Sequence, residues 1–128
     1  MRFAGVLLIF AGIGASISVQ AAEGHSKQYV QCMNSAAGVV QKSEKCIQKE
    51  LKYHTKRMKK AYSRYVTTTN TQDIAKSQHQ QWTSLLNQQC QHKTASTYNK
   101  LQQGQCRLTM TIVQANRYEA KNITSRKS

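Results

Sequence analysis

Between Ser43 and Tyr65, residues Ile47, Leu51, His54, Met58, Ala61, Tyr62 and Tyr65 recur at steps of three and four. That spacing puts them on one face of a helix about five turns long. Ser43 suits a helix N-cap and Glu44 its first turn. The opposite side carries Lys45, Lys49, Lys52, Lys56, Lys59 and Lys60, with Arg57 and Arg64 beside them, and Glu50 alone interrupts this row. Proline is absent from all 128 residues, so helices run unbroken and the turn punctuation of a β-sandwich is missing. A long amphipathic helix, apolar on one side and densely cationic on the other, therefore sets what the rest of the chain must cover.

Three weaker segments are available to do so. Residues 27–40 place Tyr29, Met33, Ala36, Ala37 and Val40 on a stripe, with Gly38 a weak point near its end. Thr67, Thr68 and Thr69 lower helix preference, and Asn70 or Thr71 with Asp73 reads as a new start. Residues 72–91 then carry Ile74, Gln78, Trp82, Leu85, Leu86 and Gln89, with Trp82 a core anchor. Residues 91–105 read as a polar loop with a helical turn near Tyr98–Leu101. A last helix near Gln105 aligns Cys106, Thr109, Met110, Val113 and Arg117, and the tail from Lys121 is expected to fray. Asn122-Ile123-Thr124 matches an N-glycosylation acceptor, which matters only in a host that glycosylates there. The expectation is an all-α fold, a small bundle of three to four helices.

Met1-Arg2, the apolar run Phe3–Ser18 and Val19-Gln20-Ala21 read as a secretory signal peptide cut after Ala21. A membrane anchor is the competing reading, disfavoured because the run is short and a cleavage pattern follows it. With the first cysteine at Cys32, a lipoprotein is disfavoured as well. Residues 22–128 then form a single domain in the periplasm or outside the cell. Four cysteines in an exported chain imply two disulfides. Three pairings are possible; Cys32–Cys46 and Cys90–Cys106 is favoured because each pair flanks a short polar or small-residue segment. Each closure stabilises by roughly 3 kcal/mol on the chain-entropy model. A zinc site is the rival, but C-x-x-C and H-x-x-x-H spacings are lacking.

Trp82 followed eight residues later by Cys90, a polar loop with Gly104, and Cys106 with Thr111 five residues on make a recognisable frame. With Cys46, Glu50, Met58 and Tyr62 upstream, the chain from Cys32 to about Glu119 resembles the LprI-like lysozyme inhibitor family of small exported helical proteins. That resemblance implies binding and blocking of a lysozyme or other cell-wall hydrolase. The chain departs from the family pattern where Leu86-Asn87 replaces an Arg-Asp pair, Gln114 an Arg, Thr55 an Asp and Lys59 an Asn.

Catalysis finds little footing. Glu23, Glu44, Glu50, Asp73 and Glu119 lie in no acid–base motif, and His25, His54, His79 and His92 share no metal-ligand spacing. His54, on the apolar stripe, reads as a satisfied core or boundary histidine. The chain is expected not to be an enzyme and to need no cofactor.

Binding remains. Nineteen Lys and Arg against five carboxylates give a net charge of +14. Such an excess favours anionic partners, with simple solubility the bland alternative. For hydrolase inhibition, His92, Lys93, Tyr98 and Lys100 of the closed loop are the expected contacts. Many lysozymes are themselves basic, so the target would carry an acidic surface. In the alternative, Lys49, Lys52, Lys56 and Lys60 meet lipopolysaccharide, phospholipid or nucleic acid, the last disfavoured by export.

Overall fold

The structure, a computed structural model, describes residues 24–91 and 96–126. The segment expected to be a signal peptide and the loop residues His92 and Lys93 lie outside the described residues. Four helices follow one another: α1 (Lys27–Ala36), α2 (Val40–Thr68), α3 (Gln72–Gln89) and α4 (Thr97–Arg126). Among the described residues there is no strand, and no helix is long and apolar enough to cross a membrane.

The principal pairing is α2 with α4. Gly104 lies against Ile47, Arg57 reaches Asn116, and Asn122 donates to the Ala61 carbonyl at 3.0 Å. Contacts advance in the same direction along both chains, so the two long helices run parallel. α3 runs back between their ends: His79 bonds Tyr118, and Cys90 is bonded to Cys106. α1 is antiparallel to α2, pairing Ser26 with Glu50 and Cys32 with Cys46.

Burial follows the rhythm read from the sequence. Ile47, His54, Met58 and Ala61 of α2 are buried. Ile47 joins Leu108 and Ile112, with Tyr29, Met33, Leu51 and Leu101 packed around them. Met58 and Ala61 join Ala115 and Tyr118, covered by Tyr62, Tyr65 and Trp82. Trp82 is thus a half-buried anchor of the second cluster, stacked on His79 at 5.6 Å.

Both disulfides form in the sequential pairing, with Cα–Cα separations of 5.7 Å and 5.5 Å. They clamp α1 to the start of α2 and the end of α3 to α4. Two disulfides are consistent with an oxidising, extracytoplasmic location.

Several local expectations need correction. α1 stops at Ala36, because Ala37 adopts a left-handed conformation (φ 47°) and Gly38 follows at φ 79°. α2 therefore restarts at Val40, and Ser43 is buried inside it instead of capping it. α3 turns Ala75, His79, Trp82 and Leu86 inward: Trp82 and Leu86 belong to the stripe read from the sequence, but Ala75 and His79 each stand one position past Ile74 and Gln78, and Ile74 is 57 % exposed. α4 begins at Thr97, where Ser96 accepts from the Asn99 N–H, so Cys106 sits within a helix and the loop is short. At the other end α4 stays helical to Arg126, with the Asn122–Ala61 bond tying it down past Lys121. That bond also closes the glycosylation acceptor, since Asn122 is buried with its amide nitrogen engaged.

Two positions yield predictions. A Cβ on Gly104 would lie 2.9 Å from the Cγ2 of fully buried Ile47. Gly104→Ala gains helix propensity but forces the two long helices apart, so a net loss of about 1–2 kcal/mol is expected in urea unfolding. Ala37→Gly should do the opposite, raising stability by up to about 1 kcal/mol, because glycine adopts the left-handed conformation without a Cβ clash.

Candidate functional site

The exposed side of α2 is the candidate interface. Lys45, Lys49, Lys52, Lys56, Lys59 and Lys60 are all exposed there. Lys49, Lys52, Lys56 and Lys60 follow one another at three- and four-residue steps and so share a stripe along the helix. Among the described residues none of these six lysines takes part in an ion pair. Lys52, Lys56 and Lys59 rim a shallow depression of about 410 Å³ with Gln48, Leu51 and Thr55.

Glu50 explains this lack of compensation. It does not interrupt the lysine row; it is 4 % exposed and points into the protein. Its Oε1 accepts from the Ser26 N–H at 2.7 Å, and its Oε2 from the Ser26 hydroxyl at 2.6 Å. The His54 Nε2–H donates to Oε1 at 2.8 Å. His25 Nδ1 lies 3.9 Å from the same oxygen. Ser26 in turn caps α1, its hydroxyl accepting from the Tyr29 N–H at 3.1 Å. One carboxylate thus fastens the N-terminus of α1 to the middle of α2.

Burial pushes the Glu50 carboxyl up, but the donors from Ser26 and His54 outweigh it and hold it below the usual carboxylate range. Burial likewise pushes His54 below its ordinary value, and the bond to Glu50 does not offset it. The ring is therefore neutral beside an ionised carboxylate. A carboxylate only accepts, so the His54 proton sits on Nε2. The buried Nδ1, which has no partner, is then a bare lone pair instead of a stranded donor. His54 is the core histidine its position on the stripe implies.

The sequence pointed to Ile47 and His54 as inward positions, and Glu50 lies three residues after one and four before the other. That spacing was the available signal for its burial. Ser26 had none, because its partner lies 24 residues away.

The loop-side candidates divide. Tyr98 is 60 % exposed on the first turn of α4, and Lys100 is exposed nearby. Because α4 runs parallel to α2, these two stand toward the end where α2 begins. His92 and Lys93 lie outside the described residues. At the positions departing from the family pattern, Leu86 and Gln114 are buried and Asn87 accepts from Arg107 at 3.1 Å.

A second aromatic patch lies deeper. Tyr62 stacks on His79 at 3.9 Å between centroids, and Lys121 sits 4.7 Å over the Tyr65 ring. Burial pushes His79 down and Tyr118 up. Their shared hydrogen bond, 2.9 Å, is neutral and structural. No family model, no curated protein and no solved structure matches this chain.

Proposed function

We propose that this chain is an exported, non-catalytic binder of anionic surfaces, engaging phosphate-bearing lipid head groups through α2. One observation carries the reading: with Glu50 turned inward, six exposed lysines line α2 with no ion-pair partner among the described residues. A cationic row uncompensated over about 23 Å of helix attracts an anionic plane, each lysine near the surface contributing about 1 kcal/mol. The opposite face of α2, with Ile47, His54, Met58 and Ala61, is committed to the core. Co-sedimentation of the oxidised protein with anionic and with neutral vesicles tests it. Binding is expected only to the anionic ones, weakening as ionic strength rises from about 0.05 M to about 0.5 M. Equal binding to both kinds of vesicle would remove the electrostatic basis. Stronger binding to nucleic acid than to vesicles would redirect it.

A second reading, inhibition of a lysozyme or another cell-wall hydrolase, draws on the family resemblance and on one feature of the fold. The Cys90–Cys106 bridge closes a segment made of the connection after α3 and the first turns of α4. Exposed Tyr98 and Lys100 lie within that closed segment. A segment held at both ends loses less entropy on binding. The charge of the chain restricts the target to an enzyme with an acidic surface. Inhibition assays against a panel of acidic muramidases test this; no inhibition of any member would leave it without support.

A further inference from the structure

The lysine row does not account for the arginines. Arg57, Arg64 and Arg126 converge with Lys60 on a groove of about 440 Å³ between α2 and α4. Arg57, Lys60, Ala61 and Arg64 form one wall, and Glu119, Asn122, Ile123 and Arg126 the other. Each wall repeats the same i, i+3, i+4, i+7 spacing over two turns, so each is one continuous stripe.

The charges in the groove are unequal in availability. Arg57 is engaged: its Nη2 donates to Asn116 Oδ1 at 2.6 Å, and its Nε lies 3.4 Å from Glu119 Oε1. That contact partly neutralises the one carboxylate of the groove. Among the described residues, Lys60, Arg64 and Arg126 have no ion-pair partner. Between the walls lie Ala61 and Asn122, the latter held to the Ala61 carbonyl, and the exposed side chain of Ile123 adds an apolar edge.

We propose that this groove is a seat for a phosphomonoester, carried either on a free sugar or on a lipid head group. Two guanidinium forks and an ammonium converge on one concavity, which suits a dianion better than a single-charged carboxylate. The volume lies within the range of small-molecule sites. Ile123 offers a surface for the apolar face of a sugar ring. Arg57 acts as a positioning residue that keeps Glu119 turned to the wall. The inference rests on the anionic-ligand reading for its ligand class, but it needs none of Lys49, Lys52 or Lys56.

The test is an NMR titration of the oxidised protein with glucose 1-phosphate, with glucose as the uncharged control. A parallel arm uses vesicles containing phosphatidic acid. Shifts are expected to concentrate at residues 57–64 and 119–126. The pair R64Q/R126Q, both at exposed positions, should weaken binding about tenfold. E119Q should tighten it a few-fold, while E44Q, which changes net charge equally, should not. Sensitivity of the glucose 1-phosphate response to R64Q/R126Q supports a free sugar phosphate; sensitivity confined to the vesicle arm supports a lipid head group. If both arms ignore R64Q/R126Q, or E44Q matches E119Q, the groove site is overturned. Vesicle binding that survives R64Q/R126Q but needs Lys49, Lys52 and Lys56, together with a glucose 1-phosphate response that ignores R64Q/R126Q, would sink the groove and leave the surface reading standing. Phosphate binding in the groove without vesicle binding would do the reverse.

Discussion

Glu50→Ala is expected to destabilise the protein by about 3–5 kcal/mol, the cost of removing one partner from a buried charged network. The substitution strands three donors together: the Ser26 N–H, the Ser26 hydroxyl and the His54 Nε2–H. Glu50 and His54 are both nearly inaccessible to water, so the His54 donor loses its acceptor without a ready replacement. The change also loosens the N-terminal end of α1, whose N-cap residue is the one Glu50 holds, while the Cys32–Cys46 disulfide still ties the helix to α2. Chemical unfolding of oxidised wild type and variant measures the loss. A cost below about 1 kcal/mol would mean that water reaches the network. Glu50→Gln keeps an acceptor and the shape, so it should cost less than Glu50→Ala.

Acid should weaken the same network in two stages. His54 titrates below its ordinary 6.5 in the folded protein. As pH falls past 6.5 the unfolded chain takes up a proton that the folded chain refuses, so stability declines. His79, lowered by burial, adds to this stage. Glu50 is held below its ordinary 4.5, so its contribution is complete above 4.5 and is lost as pH falls from there through the folded value. The melting temperature should therefore fall in both windows, and Glu50→Gln should flatten only the lower one. The two stages separate the histidines from the carboxylate without disturbing either.

Reversing Lys49, Lys52, Lys56 and Lys60 to Glu should lower affinity for anionic vesicles by at least about a thousandfold, taking about 1 kcal/mol for each cation lost from the surface. Stability should hardly change, because all four side chains are exposed and none is in an ion pair among the described residues. Lys60 also lines the groove beside Arg64, so the triple reversal without Lys60 distinguishes the open face from the groove.

Much of this architecture is legible in the residues. The inward face of α2 follows from spacing alone, because Ile47, His54, Met58 and Ala61 are set on a strong helical period. The disulfide pairing follows from short polar segments between neighbouring cysteines. α3 is harder: its buried positions are Ala75, Leu86 and Cys90 with half-buried His79 and Trp82, while Ile74 and Leu85 face out. Hydrophobicity alone ranks those residues wrongly. The first turns of α4 hide behind threonine, asparagine and glutamine, residues compatible with either loop or helix. Gly104, which reads as a loop residue, instead lies within α4 and packs against Ile47 of α2. The groove was beyond reach, because Arg57 and Arg126 meet only once the two long helices are known to run parallel.

The central claim is that the lysine row of α2 recognises an anionic, phosphate-bearing surface. Its most direct test is co-sedimentation at an ionic strength of about 0.15 M, comparing wild type with the Lys49, Lys52, Lys56 and Lys60 reversal. Wild type should pellet with anionic vesicles and stay in solution with neutral ones, and the reversed protein should stay in solution with both. A reversed protein that pellets as wild type does would contradict the account.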